Sequence, residues 1–312
     1  MIQYIGKKIF FFLLSLFTIT SITFFLMHSI PGDPFTQDKA IPEEIMQAMY
    51  KHYGLDKPLF LQYLTYLKGL LLGDLGPSFK YQGRTVNEII AEGFPVSLAL
   101  GLEALCLSIG FGLLIGAIAA WKYHRWQDNL MMLIAILGLS IPSFIFATFL
   151  QYLFAMKLDL FPIARWGSFS HTVLPALSLS VLPTACIARL IRSNMLEVLQ
   201  YDYIQTAKAK GLNALTIVSR HVLRNALLPV ITFLGPLTAS ILTGSFAIEK
   251  IFGIPGLGQW FVLSIANRDY TVIMGTTIFY SALLMFCVFV VDLLYCIIDP
   301  RITMQDTKTS HE

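Results

Sequence analysis

Charge is what this sequence has least of: 13% of its 312 residues are Asp, Glu, Lys or Arg, while 56% are apolar. Soluble domains carry roughly 25% charged residues, so an ordinary globular protein is excluded, and the mean hydropathy of +0.68 points to lipid as the solvent. The net charge is only +3 and there is no basic tail, which removes the case for nucleic acid. No glycine, four residues, then Gly-Lys-Ser or Gly-Lys-Thr occurs, so the chain lacks that cradle for ATP phosphates. The six histidines (His28, His52, His124, His171, His221 and His311) are scattered, and the four cysteines (Cys106, Cys186, Cys287 and Cys296) sit inside apolar runs. Neither set has metal-ligand spacing, and such thiols read as small packing groups.

What the sequence does have is hydrophobic length. A bilayer core about 30 Å thick takes roughly 20 residues of helix, and six segments meet that need or come close: Ile9–Ile30, Val96–Trp121, Leu130–Met156, Thr172–Ile191, Ala226–Ile248 and Thr271–Ile298. The first follows Lys7 and Lys8 as a signal peptide would, but it runs 22 residues without a small-residue cleavage site before Pro31, so it reads as a retained anchor. The expected fold class is therefore all-α, a polytopic membrane protein with six transmembrane helices. With both termini in the cytoplasm, Lys and Arg divide 12 inside to 10 outside, and six of the ten lie in the long loop 31–95. Long loops do not count in the positive-inside rule, and 12 against four then predicts cytoplasmic N- and C-termini.

The long loop is patterned. Pro42, Glu43 and Glu44 suit a helix start and Gly54 its end, with a second start at Asp56 and Pro58. The Leu-, Tyr- and Phe-rich stretch Leu59–Leu72 is too short to span, so it reads as an interfacial or docked helix, either a cap on the bundle or a partner surface. Between spans four and five, Arg189–Asn225 is 37 residues long with six Lys or Arg and two acids. Its centre, Asp202–Gly211, reads as a short helix closed by glycine. The segment Glu249–Tyr270 holds a glycine-rich turn before Gln259–Ala266 and leaves open a re-entrant plug or a surface loop. Of two acids inside the spans, Glu103 has no assigned role, and Asp292 near a span end suits a structural ion pair with Arg189 or Arg192. Gly112 and Gly116 have the spacing for close helix approach, and Pro142, Pro175, Pro183 and Pro236 predict bends.

Many short motifs then fall in a recognisable order: Pro31-Gly32-Asp33-Pro34, Tyr53-Gly54-Leu55-Asp56-Lys57-Pro58, Gly73-Asp74-Leu75-Gly76-Pro77-Ser78-Phe79-Lys80-Tyr81, Asp202–Leu212, Arg224-Asn225-Ala226-Leu227-Leu228-Pro229, Gly244-Ser245-Phe246, Ile254-Pro255-Gly256-Leu257-Gly258, Asn267-Arg268-Asp269-Tyr270 and Asp299-Pro300-Arg301. From end to end the chain resembles the permease subunits of ABC-type oligopeptide and dipeptide importers, nearest to the oligopeptide B permeases. The resemblance implies the type I ABC importer permease fold. It divides the chain into an N-terminal helix and external loop (1–95), a five-helix permease domain (96–298) with the coupling loop 189–225, and a tail (299–312).

It also implies a coupling helix that fits a groove in the ATPase, here Tyr203, Ile204, Thr206, Ala207, Lys208, Ala209, Lys210, Gly211 and Leu212. Thr206-Ala207-Lys208 stands where the general importer pattern has Glu-Ala-Ala. The implied partners are a second homologous permease, two cytoplasmic ABC ATPases, an extracytoplasmic peptide-binding protein and the peptide itself, in a bacterial plasma membrane. The chain is expected to be non-catalytic and to bind no cofactor, ATP–Mg belonging to the ATPases. Alternatives are a dipeptide or nickel importer permease within the family, or a self-contained secondary transporter or channel outside it.

Overall fold

A computed structural model describes residues 2–30, 43–81, 83–213 and 216–298. The motifs at Pro31–Pro34 and Asp299–Arg301 lie outside them. Among the described residues the chain is helical, with no strand beyond a lone bridge between Pro77 and Thr85. In order the helices are α1 (Ile2–Ser29), α2 (Glu43–Tyr53), α3 (Leu59–Leu71), α4 (Val86–Trp121), α5 (Trp126–Ser140), α6 (Ser143–Leu150), α7 (Ser170–Val198), α8 (Asp202–Ala209), α9 (Leu223–Ala226), α10 (Leu228–Leu242), α11 (Phe246–Phe252), α12 (Leu257–Asn267) and α13 (Tyr270–Ile298). Wide π-helical turns follow α6 at Gln151–Lys157 and precede α9 at Ile217–Val222. Four helices are long and apolar enough to cross a membrane, and up to six spans result if each bent pair counts as one.

The bends correct two expected spans. The third is broken by 105° between α5 and α6, because Pro142 starts α6 with a non-helical dihedral and offers no backbone donor. The fifth begins earlier, at the π-helical turn, and ends at Leu242 rather than Ile248, with a 50° bend. The second starts ten residues before Val96, with Pro95 inside the helix. Its start is a capping box: Thr85 N–H donates to Glu88 Oε2 at 3.0 Å and Glu88 N–H to Thr85 Oγ1 at 3.2 Å. The fourth continues to Val198, so the start of the expected loop, from Arg189 to Val198, is helix.

The chain forms two compact units, 1–96 with 255–285, and 97–254 with 286–312. In the first unit, α2 and α3 start and stop where the sequence placed them, Gly54 taking φ +69° after α2. The N-terminus of α13 is capped by Asp269, whose carboxylate is buried and accepts from Ser78 Oγ, Phe79 N–H (3.2 Å), Lys80 N–H (3.2 Å), Thr271 Oγ1 (3.0 Å) and Val272 N–H (3.3 Å). One acid thus ties the 77–81 loop to a helix end, which brings together two of the motifs read in the sequence.

In the second unit α7 is the central helix, in contact with α5, α6, α9, α10 and α11. It also meets α4 at close range, where Gly112 and Gly116 face Ile187, Ala188 and Ile191. A β-carbon on Gly116 would stand 2.5 Å from the Ala188 carbonyl oxygen, whereas one on Gly110 would meet nothing within 4 Å. Gly116→Ala should therefore destabilise the chain by about 1–3 kcal/mol through overpacking, while Gly110→Ala should be neutral or slightly stabilising. Thermal unfolding of the two variants in detergent checks the contrast.

Candidate coupling interface

The helix α8 is eight residues long, started by Asp202 in its first turn, where a negative charge meets the positive dipole end. It is closed by a Schellman-type turn. Leu212 N–H reaches the Ala207 carbonyl at 3.3 Å, and Gly211, at φ +76°, supplies the left-handed residue. A β-carbon at Gly211 would find open space, so the need for glycine there is conformational and not steric.

Two of its side chains face inward. Ile204 and Ala207, three residues apart and so on one helix face, are buried with Ile191, Met195 and Val198 of α7, and with Ile217, Val222, Ala226 and Val230 of the returning segment. Tyr203, Thr206, Lys208, Ala209, Lys210, Gly211 and Leu212 are exposed. Asn225 Nδ2 donates to the Tyr203 hydroxyl at 2.6 Å, a second tie to the returning segment. The nine residues expected to couple thus divide into a two-residue root and a seven-residue exposed surface bearing two lysines. The π-helical turn next to it, where Leu223 N–H bonds the Val218 carbonyl, belongs to a class of irregularity common at functional sites.

The end of α7 that carries this helix is braced from the side. Asp128, in the first turn of α5, is 2% exposed and receives both arms of Arg192, Nε to Oδ1 at 2.7 Å and NH2 to Oδ2 at 2.9 Å, together with His124 N–H at 3.2 Å. The guanidinium also lies 5.3 Å from the Tyr123 ring centroid. A bidentate fork with a third donor is the arrangement that makes a buried carboxylate tolerable. Of the two arginines open to Asp292 in the sequence, Arg192 is therefore engaged with Asp128, while Arg189 is exposed and lines a cavity of about 540 Å³ with Cys186 and Ser193. Glu103 is half-buried in α4.

Asp128, Asp269 and Glu249 carry structure that the sequence reading did not assign. Glu249 is fully buried and accepts from Ser97 Oγ at 2.7 Å. Its carboxylate sits over Gly244, at φ +84°, in the space a β-carbon would need, which explains the glycine of the Gly244-Ser245-Phe246 motif. The segment after it is two short helices joined through Gly253, where Ile254 N–H bonds the Glu249 carbonyl at 2.8 Å, with Phe252, Ile254 and Leu257 buried.

Among solved structures, an inward-facing methionine ABC transporter, MetNI, matches at TM-score 0.57 and 18% identity, over 68% of this chain and 96% of that one. An amino acid ABC transporter solved with histidines matches at TM-score 0.52 and 14% identity, over 67% and 94%. These likenesses define the fold as that of ABC importer permeases.

Residues 112–304 match the family described as binding-protein-dependent transport system inner membrane component, and residues 1–101 match its N-terminal companion; the chain belongs to this family. A dipeptide transport system permease of Bacillus subtilis is 50% identical over 97% of this chain and 99% of its own. An oligopeptide transport system permease of Haemophilus influenzae is 43% identical over the same shares, and one of Escherichia coli is 43% identical over 92% and 95%.

The brace gives a prediction. Arg192→Leu leaves Asp128 buried without its cation and should cost about 3–5 kcal/mol. The double variant Asp128→Leu/Arg192→Leu should recover most of that loss. A double-mutant cycle of thermal stabilities in detergent measures both.

Proposed function

We propose that this chain is one of two membrane subunits of an ATP-driven importer of short peptides, supplying half of the translocation pathway, with α8 as the element on which a partner ATPase acts. Its partners in this reading are a second homologous permease, two ATPase chains that hold ATP–Mg, and a peptide-binding protein on the far side of a bacterial plasma membrane; the chain itself is non-catalytic and binds no cofactor. Both termini lie in the cytoplasm, on the side of α8. Support for peptide as cargo comes from the printed names of relatives at 50% and 43% identity that cover nearly the whole chain, and these span dipeptide and oligopeptide systems. The observation that carries the coupling role is the division of α8 into a buried root, Ile204 and Ala207, and an exposed remainder.

The mechanism follows from that division. A groove closing on Tyr203, Thr206, Lys208, Ala209, Lys210, Gly211 and Leu212 moves α8 as a rigid piece. Its root then transmits the motion to α7 and to the 217–230 segment, which is how packed elements convert a local push into alternating access. Lys208 and Lys210 orient the helix in an acidic groove. Asp292 pairs with Arg189 as a structural tie near the same end of the bundle.

Affinity purification in mild detergent followed by mass spectrometry should recover a second permease and two ATPase chains. Recovery of this chain alone, with uptake into liposomes lacking ATP, would overturn the reading in favour of a self-contained transporter. Within the assembled complex, Gly211→Trp strains a left-handed position and enlarges the docking surface. It should lower peptide-stimulated ATPase and uptake together, by about tenfold on the scale of ordinary coupling energies. Unchanged coupling in a complex of normal composition would remove α8 from the role.

A further inference from the structure

The N-terminal unit contains a cavity that the transport reading does not use. It has a volume of about 410 Å³ and lies among α1, the turn between α2 and α3, the 74–79 loop and the start of α13. That size is within the range of small-molecule sites. Its lining combines the aromatic and apolar Phe24, Tyr53, Tyr66, Phe79 and Met274 with two cations, Lys51 and Lys57. Both lysines are exposed and neither has an ion-pair partner among the described residues. Lys57 folds over Gly54, its Nζ 3.9 Å from where a β-carbon of that glycine would stand. The one acid in the lining, Asp74, already accepts from Gly76 N–H at 2.9 Å. In the wall, the Tyr66 hydroxyl is shielded from solvent and has no hydrogen-bond partner, a state that costs free energy unless an occupant relieves it.

The location says which molecule is at hand. α3 lies against the C-terminal third of α1, with Tyr63 bonded to Ser21 at 2.6 Å, Gln62 to His28 at 3.2 Å, and the rings of Tyr63 and Tyr66 against Phe24. Ser21 is eight residues before the end of α1 at Ser29, which places that contact roughly 12 Å below the helix end. The other side of α3 exposes Phe60, Leu64 and Leu71, and α1 exposes Ile22, Phe25 and Leu26 beside it. Outward apolar faces of this kind suit acyl chains; with α3 laid in one leaflet on that ground, Lys51 at the end of α2 and Lys57 in the turn after it fall at headgroup level.

We propose that this cavity binds one anionic phospholipid of that leaflet, its phosphate held by Lys51 and Lys57, an ester carbonyl accepting from the Tyr66 hydroxyl, and the start of the acyl chain beside Phe24 and Met274. Lipid held there ties the α2–α3 turn to α1. The proposal stands apart from the identity of the cargo.

Native mass spectrometry of the full-length chain, titrated with dioleoyl-phosphatidylglycerol, dioleoyl-phosphatidylcholine and oleate, tests it. Phosphatidylglycerol should occupy one strong site. Lys51→Gln/Lys57→Gln should weaken that site about 25-fold, at roughly fivefold per lysine, with Lys→Arg at both positions restoring it. Tyr66→Phe should weaken it roughly threefold. Phosphatidylcholine should bind weakly to every variant. Equal affinity for the two phospholipids, or phosphatidylglycerol binding unchanged by Lys51→Gln/Lys57→Gln, would overturn the proposal. Preferential, lysine-dependent binding of oleate would overturn it too, in favour of a free amphipathic carboxylate as occupant.

Discussion

The burial of Ile204 and Ala207 against α7 and the returning 217–230 segment is the contact on which the candidate interface depends. An isolated helix of eight residues does not persist in water, because nucleation costs more than so few hydrogen bonds return. Burying one isoleucine contributes about 1.5–3 kcal/mol, and the glycine turn at Gly211 and the Asn225–Tyr203 bond fix the two ends. The exposed surface therefore exists as a shaped object only while its root is seated, and whatever displaces it must also move α7. Rigidity at the surface and transmission to the bundle come from the same two side chains.

Three buried acids do comparable work where the backbone is irregular. Asp269 gathers donors from the 77–81 loop at the start of α13, Glu249 fills the space above Gly244, and Asp128 holds Arg192. Each is a charge or a strong acceptor in a place where solvation is lost, and each is tolerated because donors surround it. A buried turn cannot borrow hydrogen bonds from water, so side chains that replace water fix the shape of the turns. Within this chain, motifs such as Asn267–Tyr270 and Gly244–Phe246 therefore work as units: the acid or the glycine is meaningful only with its partner.

The sequence made most of the architecture legible because lipid imposes a length rule. Four of the six hydrophobic segments correspond to single span-length helices and two to bent pairs, and α2, α3 and α8 lie where helix-start residues and glycines put them. The ends were harder. Hydropathy marks where a helix leaves lipid and not where it stops, so α7 was cut short at Ile191 and α4 was begun at Val96, although Thr85 and Glu88 spelled a capping box. The division of α8 into root and surface was hidden, since burial depends on the 217–230 segment folding back. Asp128 escaped notice for the same reason: it lies outside the apolar run, and only the fold brings Arg192 to it across 64 positions.

The broken spans and the unbroken one then assume different parts. The α5–α6 pair turns through 105°, and 15 residues of α5 reach only about 22 Å, so neither half crosses a bilayer alone. Its break is affordable because Ile141 N–H bonds Leu137 and Phe146 N–H bonds Pro142, while Gln151 Nε2 reaches the Ile163 and Ile251 carbonyls at 2.7 and 3.2 Å. By contrast, α7 runs 29 residues as one helix despite Pro175 and Pro183, with five other helices packed on it and Gly112 and Gly116 of α4 admitting it at close range. A displacement at α8 meets a continuous, closely packed rod in α7, and meets bends in its neighbours. In the coupling proposed for α8, a push on its exposed face would therefore enter the second unit along α7, and the bends would be where the unit yields.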